Sequence, residues 1–207
     1  EELHLADVLD DGEGFAEFAS APLSNAAAGY VLGTERHLRL VEQAKSALAI
    51  PVIASINAAH TGSWERYATQ LVEAGADAIE LNMYSVSADV RESAVDVEAH
   101  KLDIVSAVRS AVAVPLTVKL SPFFTSVASF AAGVVGRGAD GLVLFNRFYA
   151  PDIDLDTLTV QPRLALSESD DLLLPLRWLA ILRPQLPATS LAATSGVHTG
   201  ADALKAL

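Results

Sequence analysis

The sequence predicts an α/β protein built on a parallel sheet, and three observations carry that prediction. Five short apolar runs open near residues 51, 78, 115, 141 and 190. A stretch of helical length follows each of them. The runs are almost continuously apolar rather than alternating, the pattern of parallel strands covered on both faces by crossover helices. The pattern alone leaves two arrangements open, a doubly wound sheet and a barrel.

Residues 1–33 show no clear period and hold Gly12, Gly14, Pro22 and Gly29, so they read as an irregular subdomain. Thr34 then reads as an N-cap for ERHLRLVEQAKSAL, with Leu38, Val41, Ala44 and Leu48 on one face. PVIASIN from Pro51 is of strand type. WERYATQLVEAG is a helix ended by Gly75, a natural residue past a helix end. AIELNM is the second strand, Ala94 to Ala111 a helix and PLTVKLS the third strand. Ser126 to Arg137 is a helix ended by Gly138, and GLVLFN is the fourth strand. Arg147 to Ser169 is a long polar connection. LLLPLRWLAIL is a helix that accommodates Pro175 near its start, SLAATSG is the fifth strand, and ADALKAL opens one more helix. No close internal repeat or low-complexity stretch interrupts this order. The domain that follows the irregular segment therefore runs from 34 to 207.

Composition removes several function classes. The chain has 207 residues, 51% of them hydrophobic and 19% charged, enough apolar content for a large core. No apolar run reaches the ~18 residues needed to span a bilayer, so neither a membrane partner nor an insoluble protein is expected. Lys plus Arg number 14 against 26 for Asp plus Glu, a formal charge of −12. Nucleic-acid binders carry a basic footprint, so no nucleic-acid partner is expected either. Cys is absent, which removes disulfides, thiolate metal sites and a cysteine nucleophile from these residues.

In parallel α/β folds the chemistry gathers at the carboxyl ends of the strands. There the sequence puts Ser55 and Asn57, Glu80 and Asn82, Lys119 and Ser121, Asn146 and Arg147, and Thr194, Ser195 and Gly196. With a side-chain period of two, Glu80 shares a face with Asn82, Thr117 with Lys119 and Ser121, and Leu142 with Leu144 and Asn146. Lys119 is the sharpest single residue. A charge inside the apolar TVKLS run is costly unless paired. It either braces the sheet through an ion pair with Glu80 or faces an electron-rich ligand. A flavin is such a ligand, because a fixed cation stabilises its reduced form. Asn82 and Asn146 offer amide donors and acceptors suited to an amide- or imide-like small molecule. The Thr194-Ser195-Gly196 turn ahead of a helix offers backbone N–H groups to a phosphate. Other candidates fall away. Asp152, Asp154 and Asp156 mimic the start of a calcium loop, but its sixth and twelfth positions hold Thr157 and Arg163 instead of Gly and Glu. The five His residues show no metal spacing, and no Gly-rich nucleotide loop follows any strand.

ELN at Glu80–Asn82, VKLSPFF at Val118–Phe124, LFN at Leu144–Asn146, LPLRW at Leu174–Trp178 and SGVHTGADAL at Ser195–Leu204 resemble, in order and spacing, the dihydroorotate dehydrogenases. The likeness is strongest to the bacterial dihydroorotate dehydrogenase-like branch and runs from Thr34 to Leu207. It implies a (β/α)8 TIM barrel that binds FMN, of which about five of the eight strands are visible here. Such barrels typically need about 250 residues, so the sequence reads as a partial chain. By the same resemblance Lys119 contacts the flavin, and Asn82 lies between flavin and substrate. Asn146 holds the pyrimidine, Gly196 receives the flavin phosphate, and Ser55 is a further flavin-side candidate.

The family reaction, as the resemblance implies it, removes a proton from dihydroorotate and passes a hydride to the flavin, in pyrimidine biosynthesis. The base belongs on the loop after ELN, which here reads Met83-Tyr84-Ser85-Val86-Ser87 and puts Ser85 at the base position. The expected partner is therefore a dihydroorotate-like small molecule, with a cytoplasmic setting and, by family analogy, a homodimer. Two other functions stay open: a flavin oxidoreductase of the same fold acting on another cyclic amide, and a non-catalytic barrel scaffold.

Overall fold

The computed structural model describes residues 26–57, 63–83, 85, 87, 89–147, 152–161 and 166–207. A first helix, α1 (Ala26–Ala47), leads into strand β1 (Ile53–Ile56), α2 (Ser63–Glu73), β2 (Ala78–Asn82), α3 (Ala94–Ala111) and β3 (Leu116–Leu120). Then come α4 (Val127–Gly136), β4 (Gly141–Leu144), a short hairpin β5 (Asp152–Asp154) and β6 (Thr159–Gln161), a 3-10 turn (Ser169–Leu172), α5 (Leu173–Leu182), β7 (Ser190–Ala193) and α6 (Gly200–Ala206). The five sheet strands are those expected. Two expectations change. Helix α1 starts at Ala26, ahead of the Thr34 cap and inside the segment expected to be irregular. The polar connection after Asn146 contains the antiparallel pair β5–β6.

The sheet order is β1-β2-β3-β4-β7, all parallel and strictly sequential. Right-handed crossovers that always step the same way deposit every helix on the same side of the sheet. A doubly wound sheet needs a reversal of strand order to cover its second face, and this sheet has none. The fold is thus a singly wound α/β sheet of the (β/α) barrel kind, and its five described strands form an open arc.

Burial follows the same division. Ala54, Ile56, Ile79, Leu81, Leu116, Val118, Leu120, Leu142 and Leu144 all point to one side and are buried. They pack with Trp64, Ala68 and Leu71 of α2, Ile104, Val105 and Val108 of α3, Phe130, Ala131 and Val134 of α4, and Leu182 of α5. Each such aliphatic side chain contributes about 1.5–3 kcal/mol by leaving water. On the opposite side Ile53 is 58% exposed, and Ser55, Ser190 and Ala192 are exposed too. The sequence reading of a sheet covered on both faces is therefore corrected: among the described residues the helices cover one face.

The helix ends are set locally. Ser93 caps α3 by accepting the N–H of Asp96. Past α2, Gly75 takes φ +100°, and its N–H bonds to Val72 O while that of Ala76 bonds to Leu71 O. A left-handed residue at this point needs glycine.

A Gly-Ala-Asp tripeptide occurs at 75–77 and again at 138–140, immediately ahead of β2 and β4. The two aspartates act alike. Asp77 gives its N–H to Val52 O, accepts the Val52 N–H at 2.7 Å, and meets Lys45 Nζ at 2.6 Å. Asp140 gives its N–H to Leu116 O, accepts the Leu116 N–H at 2.9 Å, and meets Arg109 Nη1 at 3.1 Å. Each pair of bonds ties the amino-terminal foot of a strand to the chain entering its neighbour. The Lys45 ammonium and the Val52 N–H hold the Asp77 carboxyl below its ordinary range. In barrels, features at this end serve stability.

Candidate active site

The open face of the sheet carries the polar residues. Cross-strand register aligns Ser55 with Glu80, Glu80 with Thr117, Asn82 with Lys119, and Lys119 with Val143. Residues paired this way in parallel strands point to the same side. Ser55, Glu80, Asn82, Thr117 and Lys119 therefore lie together, away from the helices.

They are bonded to one another. Ser55 Oγ donates to Glu80 Oε1 at 2.7 Å. Lys119 Nζ approaches the same oxygen at 3.4 Å, with the two side chains 22% and 15% exposed. The ion pair that the sequence offered as one reading of Lys119 is thus present. It is long, and an ammonium has three donors, so Lys119 also has N–H groups to aim into the open face. A charge half out of water is tolerated because Glu80 offsets it.

Asn146 joins this group by a different route from the one its sequence position suggested. Leu142 and Leu144 face the helices, and the regular pleat ends at Leu144. Phe145 is buried with its ring edge-on to Trp178 of α5, centroids 6.5 Å apart. The next residue, Asn146, keeps the ladder through its N–H to Leu120 O at 2.8 Å and turns its amide to donate to Asn82 Oδ1 at 2.5 Å. Asn146 does not share a face with Leu142 and Leu144, yet it reaches Asn82. The two amides meet at the carboxyl ends of β2 and β4.

Ser85 lies three residues beyond Asn82, on the loop that leaves β2, and is exposed. Its Oγ accepts a hydrogen bond from Lys101 Nζ at 2.5 Å. Lys101 is on α3 and only 8% exposed. Burial drives its ammonium down from 10.5 to about 8, partly opposed by the field of Glu92. Side chains on a helix lean toward its amino terminus, so a lysine two turns into α3 naturally reaches back toward the loop before it. The sequence reading missed this residue. The signal was there: Val97, Lys101, Ile104, Val105 and Val108 form one helical stripe, and a lysine occupies a position the stripe reserves for an apolar side chain. Tyr84 and Val86 of the same loop lie outside the described residues.

The turn after β7 is different. Gly196 has φ +76°, and a Cβ there would sit 2.2 Å from Leu172 N. Glycine is required by this close approach. Thr194 donates to Phe145 O at 2.5 Å, tying the turn to the end of β4. Thr199 caps α6 in a reciprocal box with Asp202. Asp202 Oδ2 also takes the N–H groups of His198 at 3.3 Å and Thr199 at 3.0 Å. Hydrogen bonds from Thr199 and Ser169 hold its carboxyl far below the ordinary range. The N–H groups of His198 and Thr199, beyond the Thr194-Ser195-Gly196 turn expected to meet a phosphate, are filled by the protein's own carboxylate.

Asp154, from the calcium-like run, accepts the N–H groups of Asp156 and Thr157 at 2.9 Å each and so shapes the turn between β5 and β6. Among the described residues no three His, Asp or Glu side chains gather as metal ligands, and no helix is long and apolar enough to cross a membrane.

The donor set can be compared with what a flavin ring requires. An isoalloxazine presents carbonyl and ring-nitrogen acceptors and gains negative charge on reduction. An ammonium (Lys119), a hydroxyl (Ser55) and carboxamides (Asn82, Asn146) on one open face fit that ring. At the α6 entry the N–H groups of His198 and Thr199 are already bonded to Asp202.

A singly wound parallel sheet, with an open polar face and an amide pair at its carboxyl ends, defines a scaffold of the (β/α) barrel class. Comparison with solved structures agrees: the chain superposes on dihydroorotate dehydrogenase from Eimeria tenella in complex with ferulenol. That match has a TM-score of 0.58 and 15% identity over 84% of this chain and 54% of the other, a likeness of fold. No family model matches the sequence. Among curated proteins, a putative dihydroorotate dehydrogenase A (fumarate) from Aeropyrum pernix is 34% identical over 119 residues, 56% of this chain and 38% of that protein. The catalytic subunit of dihydroorotate dehydrogenase B (NAD(+)) from Methanothermobacter thermautotrophicus is 33% identical over 130 residues, 62% and 41% respectively. The chain is related to the dihydroorotate dehydrogenase family. The match spans about 40% of the length of these curated relatives.

Proposed function

We propose that the protein is an FMN-dependent oxidoreductase of dihydroorotate dehydrogenase type, which oxidises dihydroorotate in pyrimidine biosynthesis in the cytoplasm. One observation carries this reading. Lys119, Ser55, Asn82 and Asn146 meet at one open face of a barrel-type sheet, in a chain related to dihydroorotate dehydrogenases. Lys119, Ser55 and Asn82 would hold the flavin ring, which when bound would supply a two-electron acceptor. Gly196 contributes to its phosphate only through its own backbone. Asn82 and Asn146 bind the cyclic amide of the substrate, exchanging part of their mutual bond for bonds to the ligand. Lys119 adds electrostatic stabilisation where negative charge accumulates. Ser85 takes the substrate proton. The natural acceptor is either fumarate or NAD(+), the two named for the relatives, and the assembly is a homodimer.

The second reading, an oxidoreductase of the same fold acting on another cyclic amide, is favoured by the Lys101-bonded serine at the base position. Anaerobic mixing of the flavin-loaded protein with dihydroorotate separates the two. Loss of the oxidised-flavin absorbance is the expected result. A flavin that dithionite bleaches but dihydroorotate leaves oxidised contradicts the first reading.

A further inference from the structure

The pair Ser85–Lys101 stands apart from the flavin-facing residues and has its own chemistry. A serine hydroxyl is a poor base unless a neighbour takes its proton. The structure supplies one neighbour, Lys101 Nζ, at 2.5 Å. Lys101 is buried, and among the described residues no carboxylate forms an ion pair with it. Charged and titratable groups on the surrounding elements are Glu65, Arg66 and Glu73 of α2, Asp96, Glu98, His100, Asp103 and Arg109 of α3 itself, Arg137 just past α4, and Asp89, Arg91 and Glu92 of the loop. Glu92 alone acts on the Lys101 ammonium by its field. Asp89 is engaged with Arg91, and Asp103 with Arg137.

From this geometry we infer that Lys101 is a positioning residue that activates Ser85, the two forming a serine–lysine proton relay at the mouth of the sheet. The inference rests on Ser85 being the base in the proposed function. In the relay the neutral amine of Lys101 accepts the hydroxyl proton of Ser85 as Ser85 Oγ accepts the proton from the substrate carbon. The substrate carbon–hydrogen bond and the original Ser85 oxygen–hydrogen bond break, a new oxygen–hydrogen and a nitrogen–hydrogen bond form, and Lys101 ends as an ammonium. The electron pair left on carbon would become the new double bond, with a bound oxidised flavin as the class of two-electron acceptor that would take the hydride. Desolvation, which brings the Lys101 ammonium to about 8, gives the amine a usable neutral fraction near physiological pH. The same activation makes the exposed Ser85 hydroxyl a nucleophile toward small electrophiles.

That second property gives a test independent of flavin and substrate. The isolated protein is treated with phenylmethylsulfonyl fluoride across a pH series, and labelling of Ser85 is followed by peptide mass spectrometry. Ser85 is expected to label at least ten-fold faster than Ser87, which is exposed on the same loop, with a rate that rises to a plateau through a midpoint near 8. Lys101→Met removes the amine, and Lys101→Arg keeps a cation and a donor that does not deprotonate. Both variants are expected to lose the excess rate and its midpoint. Labelling of Ser85 no faster than Ser87 overturns the relay, as does an unchanged pH profile in either variant. Dihydroorotate mixing then tells the two claims apart. A pH-dependent Ser85 in a protein whose flavin dihydroorotate does not reduce keeps the relay and removes the proposed substrate. A reduced flavin with an unreactive Ser85 does the reverse.

Discussion

Lys101→Met should make the protein more stable. In the folded state burial lowers the Lys101 ammonium from 10.5 to about 8. Below a pH of about 8 both folded and unfolded chains carry the proton, and the folded chain bears the full cost of a desolvated charge. Between about 8 and 10.5 the unfolded chain binds more protons than the folded one, so stability rises with pH across that window. At about 1.4 kcal/mol per pH unit the cost at neutral pH is about 3 kcal/mol. Losing the bond to Ser85 takes back about 1 kcal/mol, and methionine replaces the buried lysine with an apolar side chain of similar length. The net gain is about 2 kcal/mol at pH 7. At about pH 9.5 the residual cost is about 1.4 kcal/mol, and the variant and the parent become nearly equal. Urea unfolding at both pH values measures this directly. A variant less stable than the parent at pH 7, or a difference that does not shrink with pH, refutes the argument that Lys101 is a desolvated cation.

Three further outcomes concern the scaffold. Gly196→Ala forces a side chain into a left-handed backbone and onto the Leu172 backbone, and should cost about 3 kcal/mol in denaturant unfolding; a loss below about 1 kcal/mol would show that the turn shifts freely. Ser93→Ala removes the α3 cap and should cost about 1 kcal/mol, with Ser93→Asp recovering most of it. The depressed Asp77 carboxyl contributes stability above its ordinary pKa that is lost as pH falls through its folded value. Asp77→Asn should therefore flatten the acid side of the Tm–pH curve, and a curve parallel to the parent's would mean that the clip to Val52 and Lys45 is not felt.

Much of the architecture was legible because its signals are local. The strands at Ile53, Ala78, Leu116, Gly141 and Ser190 announce themselves as apolar runs between helical patterns. Gly75 and Gly138 punctuate the helices by their left-handed backbone, a property of single residues. What the pattern missed is non-local. Whether helices cover one face or two depends on the order in which strands pair, and no single strand encodes that. The three-residue strands of β5 and β6 are too short and too polar to show a period. The start of α1 is a run of three alanines without an amphipathic period, whereas Thr34 precedes a clear one.

The site divides in the same way. Lys119, Ser55 and Asn82 were readable from strand alternation because β1, β2 and β3 keep their pleat. Asn146 lies past the point where β4 stops alternating, so its meeting with Asn82 rests on the turn of the chain at Phe145. Asp202 hid behind its place in a helix, although its carboxylate gathers the N–H groups of His198 and Thr199 ahead of that helix. Lys101 was concealed by the helix pattern around it, and only the fold brings it to Ser85.

The most direct test of the open-face flavin site is the reduction potential of FMN bound to the parent and to Lys119→Met. If Lys119 stands beside the ring, losing its charge should lower the two-electron potential by at least about 30 mV, equivalent to about 1.4 kcal/mol. An unchanged potential, with FMN bound equally well to both proteins, would mean that the flavin lies elsewhere and that Lys119 serves only Glu80.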